Sequence, residues 1–286
     1  MSDPQSSFVH ANGLRLHYLA WGAPGARPVV LNHATGFLAW LWEPVARPLV
    51  AAGYRVLAYD ARGHGNSDKP APTDANYDWR RCVDDLRGFL DVLNLKGVPF
   101  VGHSFGGATG LYLAGTRPEY LSRLVAIEPI VMPGGFTPDA TRRDEMAAGA
   151  RRRRHVFAGA DEMIEQYRSR PTFAKWTDET LRLYVEHGTI RREDGSLELK
   201  CSGEIEGAMY ANSGSLPVWD VLPQIEVPVL VMRGETTEGL LSMVAEAVAN
   251  RVPEGTLETI SDAGHLAPME RPEAVAAAVL RVLDSS

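Results

Sequence analysis

The sequence predicts an α/β fold: a mostly parallel, twisted sheet flanked by helices and interrupted by a helical insertion. Three observations lead there. Short apolar runs alternate with segments of helical spacing along most of the chain. Runs such as Pro28–His33 are continuously apolar, as in a strand covered on both faces, rather than alternating. The alternation breaks between Pro133 and Val221 and then resumes, which reads as an insertion between two strands of one sheet.

Taken in order, Phe8–Gly22 reads as two strands joined by Asn12-Gly13, a strong hairpin signal. Pro28–His33 and Tyr54–Asp60 are the next strands, with a helix over Leu38–Ala52 that Gly53 stops. Trp79, Cys82, Val83, Leu86, Phe89, Leu90 and Leu93 recur at helical spacing, so Cys82 reads as core packing and not as a nucleophile. "PFVGHS" is a strand running into Ser104, and "FGGATGLYLAGT" continues as a helix of small residues. "RLVAIEP", "VPVLVMRG" and "TLETI" are strands, and the last helix covers Pro272–Leu283. Within the insertion, helices are expected over Asp139–Phe157, Asp161–Arg168 and Asp178–His187, with a hairpin around Asp194-Gly195. The expected organisation is a core of residues 1–132 and 221–286, and a cap of residues 133–220.

Composition narrows the function classes. The chain has 286 residues, is 45% hydrophobic and carries a net charge of −7, which disfavours a polyanionic partner such as nucleic acid. Its one basic cluster, Arg142, Arg143 and Arg151–Arg154, reads as a solvated helix face. No apolar run approaches the ~18 residues of a membrane span. "MSDPQSSFVH" has neither a charged n-region nor an apolar h-region, so no secretory signal is expected. Cys82 and Cys201 lie far apart, which suggests no disulfide framework and a cytoplasmic setting. The histidines show no metal spacing, and no phosphate- or dinucleotide-binding glycine pattern is present. No metal and no cofactor are expected.

The strongest chemical signal is Gly102-His103-Ser104-Phe105-Gly106, a G-x-S-x-G pattern between a strand and a small-residue helix. Glycines two before and two after the serine let a sharp turn hold its hydroxyl at a helix N-terminus. With "LNHATGF", "YDARGHGNSD" and "DAGHLAPME", this motif set resembles the α/β-hydrolase family over nearly the full length. The resemblance implies an acyl-enzyme, a histidine base and an oxyanion hole. His265, in the polar loop before the last helix, occupies the family's base position, and the order Ser before His fits. His103, His33, His64 and His17 read as structural. One oxyanion donor is the N–H of Phe105. The second is expected from Thr35, with Ala34 left open, since "HATG" has Ala34 where the family usually has glycine.

The acid is less direct. The family most often carries an Asp at the position held here by Thr237. Glu235, Glu238 and Glu128 are the candidates to replace it. Glu235 comes too early in the turn. Glu128, at the end of "LVAIE", is preferred to Glu238 because strand ends on that side converge on the site and a buried carboxylate needs a cation there. "IEPIVMP" is similar to the haloalkane dehalogenases in this acid alone, since those enzymes use an aspartate nucleophile. Asp262 reads as a turn residue, and Asp60 as the anchor of its own loop.

The resulting expectation is a serine hydrolase acting on a small carboxylic ester, with Ser104, His265 and Glu128 as the triad. Lactone opening, C–C bond hydrolysis and acyl transfer can use the same residues. A non-catalytic receptor on this scaffold is the remaining alternative, against which the intact Ser/His pair argues. Trp176, Phe173, Tyr167, Tyr184, Met209 and Tyr210 either line an apolar pocket or pack within the insertion. Oligomeric state is not legible.

Overall fold

The computed structural model describes residues 3–134 and 140–284. Its chain order begins β1 (Gln5–Ala11), β2 (Leu14–Trp21), β3 (Arg27–Asn32), α1 (Glu43–Ala51), β4 (Tyr54–Tyr59) and α2 (Trp79–Val92). It continues β5 (Val98–His103), α3 (Phe105–Thr116), β6 (Leu121–Ile127), α4 (Ala140–Arg152), β7 (Val156–Phe157), α5 (Ala160–Arg168) and α6 (Asp178–His187). Then come β8 (Thr189–Arg191), β9 (Leu197–Leu199), α7 (Gly203–Ala211), α8 (Val218–Val221), β10 (Val229–Gly234), α9 (Leu240–Arg251), β11 (Gly255–Ile260), α10 (Ala267–Glu270) and α11 (Pro272–Asp284).

Eight strands form one sheet in the order β1-β2-β4-β3-β5-β6-β10-β11. Only β1/β2 and β2/β4 pair antiparallel; the rest are parallel. Asn12 (φ 52°) and Gly13 (φ 75°) both take the left-handed conformation that a tight hairpin of matching twist requires. The central strands are buried on both faces because helices cover both. Leu86, Phe89 and Leu90 of α2, Leu111 of α3 and Val248 of α9 pack with Val30, Phe100 and Leu124 on one side. Val45 and Leu49 of α1 and Val275 and Val279 of α11 pack with Leu31, Val101 and Ile127 on the other. Cys82 lies in the first of these clusters, and both cysteines are buried and free. Among the described residues, no helix is long and apolar enough to cross a membrane.

The segment between β6 and β10 carries α4–α8 and a small antiparallel sheet, β7-β9-β8. The hairpin at Asp194-Gly195 joins β8 to β9, with Gly195 at φ 85°. The helix expected over Asp139–Phe157 stops at Arg152, because Val156 and Phe157 pair with β9 as an edge strand. Its expected start, Asp139, lies outside the described residues. Helices α7 and α9 have no counterpart in the sequence reading.

One expectation about this segment is corrected. The arginine cluster is not simply a solvated face. Arg154 pairs with Glu162 at 2.8 Å, and Arg153 is largely covered and lies 2.8 Å from Glu206. The side chain of Arg142 lies outside the described residues. The aromatic residues mostly pack. Tyr167, Trp176 and Tyr184 are buried against one another and against Leu38, Leu41 and Met269, with Phe37 and Phe173 at the edge. Met209 belongs to the main core, where its carbonyl accepts from Trp79 Nε1 at 3.1 Å.

Candidate active site

Ser104 joins β5 to α3 with φ 55° and ψ −112°, a conformation that costs a side-chain-bearing residue ~1–3 kcal/mol. The glycines show how the turn closes. A Cβ on Gly102 would lie 2.3 Å from the Gly106 carbonyl oxygen, and one on Gly106 would lie 2.3 Å from that of Asn32. The strained turn is tied to its neighbours: Ser104 N–H donates to Ile127 O at 2.8 Å, and Ile130 N–H donates to Ser104 O at 3.3 Å.

Glu128 is the first residue past β6. It also has a positive φ, 49°, and its N–H donates to Met232 O at 2.8 Å. Its carboxylate is 1% exposed. Oε1 accepts from Gly234 N–H at 2.6 Å and from the Thr237 hydroxyl at 2.6 Å. Oε2 lies 3.3 Å from His265 Nδ1. A buried carboxylate needs hydrogen-bond partners, and this one has two short donors and an imidazole beside it. Glu238 is exposed. Glu235 accepts from Asp262 N–H at 2.9 Å.

His265 completes the chain, with Nε2 3.1 Å from Ser104 Oγ. Its loop is braced from below. His103 donates from Nε2 to the His265 carbonyl at 2.7 Å, and the Glu270 carboxylate accepts Gly264 N–H at 2.6 Å. Burial lowers the His103 pKa to about 3, so its ring stays neutral at ordinary pH. Asp262, at φ 53° in the same loop, is exposed and pairs with Lys175 and Arg271.

The donors expected for an oxyanion hole sit on either side of the elbow. Phe105 N–H is the first of α3, and its ring packs edge-on to Trp79 at 5.0 Å. Thr35 lies in the loop after β3 and is 7% exposed. Neither N–H has a protein acceptor among the described residues. Two buried imidazoles hold the Thr35 loop. His33 Nε2 accepts Ala61 N–H at 3.0 Å, and His64 Nε2 accepts Gly36 N–H at 3.0 Å. Each ring also donates from Nδ1 to a carbonyl at 2.8 Å, Ala34 for His33 and Arg62 for His64. An accepting ring nitrogen must be unprotonated. Burial keeps it so, lowering His33 and bringing His64 to about 3. Asp60 fixes its loop through Ala39 N–H, Asn66 N–H and His17 Nδ1, at 2.7, 2.9 and 2.7 Å. Its pKa is held at about 2, the burial that raises it being outweighed by His17 and these donors.

The structure thus brings Ser104, His265 and Glu128 into one hydrogen-bonded row. Sequence reasoning missed the supporting groups: Gly234 N–H, the Thr237 hydroxyl, the His103 brace and Glu270. Only Thr237 left a signal, by standing where the family usually has its acid.

A profile of the alpha/beta hydrolase family matches residues 29–278. The AB hydrolase superfamily protein YfhM of Bacillus subtilis is 39% identical over 127 residues, which is 44% of this chain and 44% of that protein. The chain therefore aligns with less than half the length of that relative. Among solved structures, E-2-(acetamidomethylene)succinate hydrolase superposes with a TM-score of 0.84 at 21% identity, covering 99% of this chain and 100% of that one. A thermophilic esterase from Thermogutta terrifontis, with malate bound, superposes with a TM-score of 0.74 at 25% identity, covering 98% of each chain. With the profile spanning most of the sequence and the sheet order and helix layers described above, the chain belongs to the alpha/beta hydrolase family.

Proposed function

We propose that the protein is a serine hydrolase that cleaves small carboxylic esters through an acyl-enzyme. The observation that carries this is the unbroken row from Ser104 Oγ through His265 to Glu128, at 3.1 and 3.3 Å. Likeness to a solved esterase at 25% identity over the whole length supports the same reading.

A serine hydroxyl becomes a nucleophile when a base takes its proton. His265 Nε2 takes it as Ser104 Oγ attacks the ester carbonyl. The imidazolium then donates from Nδ1 to Glu128, whose charge Gly234 and Thr237 steady from the other side. The tetrahedral oxyanion is received by the N–H groups of Phe105 and Thr35. Phe105 lies at the positive end of α3, and loss of one such donor typically lowers turnover ~10²–10³-fold. His265 returns the proton to the leaving alcohol, then draws one from the water that hydrolyses the acyl-enzyme. Residues 133–220 act as a cap over this site, on a core of residues 1–132 and 221–286. Contacts such as Tyr184 OH to Gly36 O, 3.4 Å, and Thr177 N–H to Met269 O, 3.1 Å, join the two. No nucleic acid, membrane, metal or cofactor takes part in the reading. Free, buried thiols fit a reducing cytoplasm.

The test is hydrolysis of p-nitrophenyl esters together with fluorophosphonate labelling. Wild type turns over and is labelled at Ser104, and Ser104→Ala does neither. An unlabelled wild type without ester turnover removes the proposal.

A further inference from the structure

Lys200, just past β9, faces the loop that follows Thr35 across one small cavity. That cavity, about 10 Å³, is lined by Gly36, Phe37, Gly65, Tyr184, Lys200 and Cys201. Gly36, one of the lining residues, directly follows Thr35, whose N–H is assigned to the oxyanion.

Lys200 lines the cavity, and Lys69 and Arg153 each donate to the carbonyl of another lining residue. Lys200 follows β9, which fixes its backbone through an N–H bond to Gly188 O at 2.8 Å. Its half-buried ammonium has no hydrogen-bond or ion-pair partner among the described residues. Lys69 donates to the carbonyls of Gly65 and Ser67 at 2.8 and 3.0 Å, and the carboxylates of Asp60 and Asp68 act on its charge. Arg153 donates to Cys201 O at 3.0 Å from the far side, and its Nε is buried without a partner. Against these stands Glu206, 2.8 Å from Arg153. Its Oε1 sits where a Cβ on Gly36 would come within 2.6 Å. Arg153 and Glu206 offset each other. Asp60 also acts on Lys200, but its oxygens are already taken by His17 and two backbone donors. Lys200 is left without a hydrogen-bonded counter-ion among the described residues. An ammonium half out of water with no counter-charge is unfavourable in the free protein and favourable once an anion arrives.

We propose that this cavity is a subsite for a carboxylate on the acyl part of the substrate, with Lys200 as the specificity-determining contact and half-esters of dicarboxylic acids as the substrate class. The size of the cavity argues for one carboxylate oxygen over a phosphate group, since it has room for about one water molecule. The inference rests on the esterase reading of Ser104, and its experiment separates the two.

The measurement is kcat/KM for monoethyl succinate, glutarate and adipate. Each is compared with the neutral ester of equal length: ethyl butyrate, pentanoate and hexanoate. For the best-fitting length the anionic ester is favoured about tenfold or more, the scale of one charge-assisted hydrogen bond. Lys200→Met lowers that ratio about tenfold, and Lys200→Arg retains it. A ratio near one at every length, or a preference untouched by Lys200→Met, overturns the subsite and leaves the esterase standing. If no ester is turned over and Ser104 is not labelled, the esterase reading fails by itself. Thermal stabilisation by millimolar glutarate at fixed ionic strength then decides the subsite. A Tm rise that Lys200→Met abolishes supports it, and an unmoved Tm overturns it.

Discussion

Replacing Glu128 by Gln changes little in shape and much in hydrogen-bond polarity. The carboxylate receives two donors on Oε1, Gly234 N–H and the Thr237 hydroxyl, both at 2.6 Å. Thr237 can rotate its proton away and accept instead, but a backbone N–H cannot. The Gln amide must therefore turn its oxygen toward Gly234 and its NH₂ toward His265 Nδ1, 3.3 Å away in the parent. An NH₂ facing Nδ1 makes that nitrogen an acceptor and moves the ring proton to Nε2, against the Ser104 hydroxyl. The base is then in the wrong tautomer and the imidazolium has lost its counter-ion. Triads with this change lose about 10⁴-fold in kcat, which corresponds to ~5 kcal/mol of barrier. Steady-state hydrolysis of p-nitrophenyl butyrate at pH 8, with burst titration of active sites, reads it directly. Glu238→Gln in the same assay stays within a few-fold. A Glu128→Gln enzyme within tenfold of wild type, or a collapse in Glu238→Gln, refutes the reasoning.

Further outcomes follow from the same geometry. Thr237→Ala removes one of the two donors on Oε1 and lowers kcat about tenfold, on the scale of a hydrogen bond to a charge, while Thr237→Ser keeps it. An unchanged Thr237→Ala would mean that the hydroxyl does not steady the acid. Because Thr237 occupies the family's usual acid position and touches Glu128, Thr237→Asp in a Glu128→Ala background restores at least tenfold over Glu128→Ala alone. Absence of any recovery counts against an interchangeable acid. Gly106→Ala drives a Cβ into backbone at 2.3 Å and destabilises by at least ~1–3 kcal/mol, read as a shift of the urea midpoint. Stability also depends on pH through His64 and His103, both held near 3 in the fold against 6.5 when free. Below pH 6.5 the unfolded chain binds the protons that the fold refuses. Stability is therefore complete above that pH and falls toward pH 3, by up to ~1.4 kcal/mol per pH unit for each ring. Urea unfolding between pH 7 and 5 checks the sign, and a flat profile contradicts it.

The parts of the molecule that read clearly from sequence are those where local chemistry and global fold agree. The Gly102–Gly106 pattern needs a strand before it and a helix after it, and both are visible as apolar and small-residue runs. Asn12-Gly13 dictates its hairpin by backbone preference alone. The place of Glu128 at the end of the strand next to the one carrying Ser104 was legible because a lone acid ending a buried strand asks for a partner, whereas its bonds to β10 were not. The helix over Asp139–Phe157 was overextended because β7 is only two residues long and owes its strand pairing to β9, over thirty residues later. Helix α9 was missed because "GLLSMVAEAVANR" begins with Gly239 at φ 65° and has no side-chain cap to mark it. The Arg153–Glu206 pair brings together residues from α4's end and α7, and no local pattern announces such a meeting. His103 looked like filler because a histidine that donates to a carbonyl has the same sequence signature as one that only packs.

The pairing of β5 with β6 ties Ser104 to Ile127 O and Ile130 N–H, and Glu128 is held in turn to Met232 O on β10. Oxygen nucleophile and carboxylate therefore ride on one lattice of main-chain bonds, while the imidazole arrives on a loop held to it, among the described residues, by a single main-chain bond, Thr236 N–H to Ala263 O at 2.8 Å, and by the His103 and Glu270 side chains. Releasing that loop alone would disarm the enzyme while the sheet stays folded.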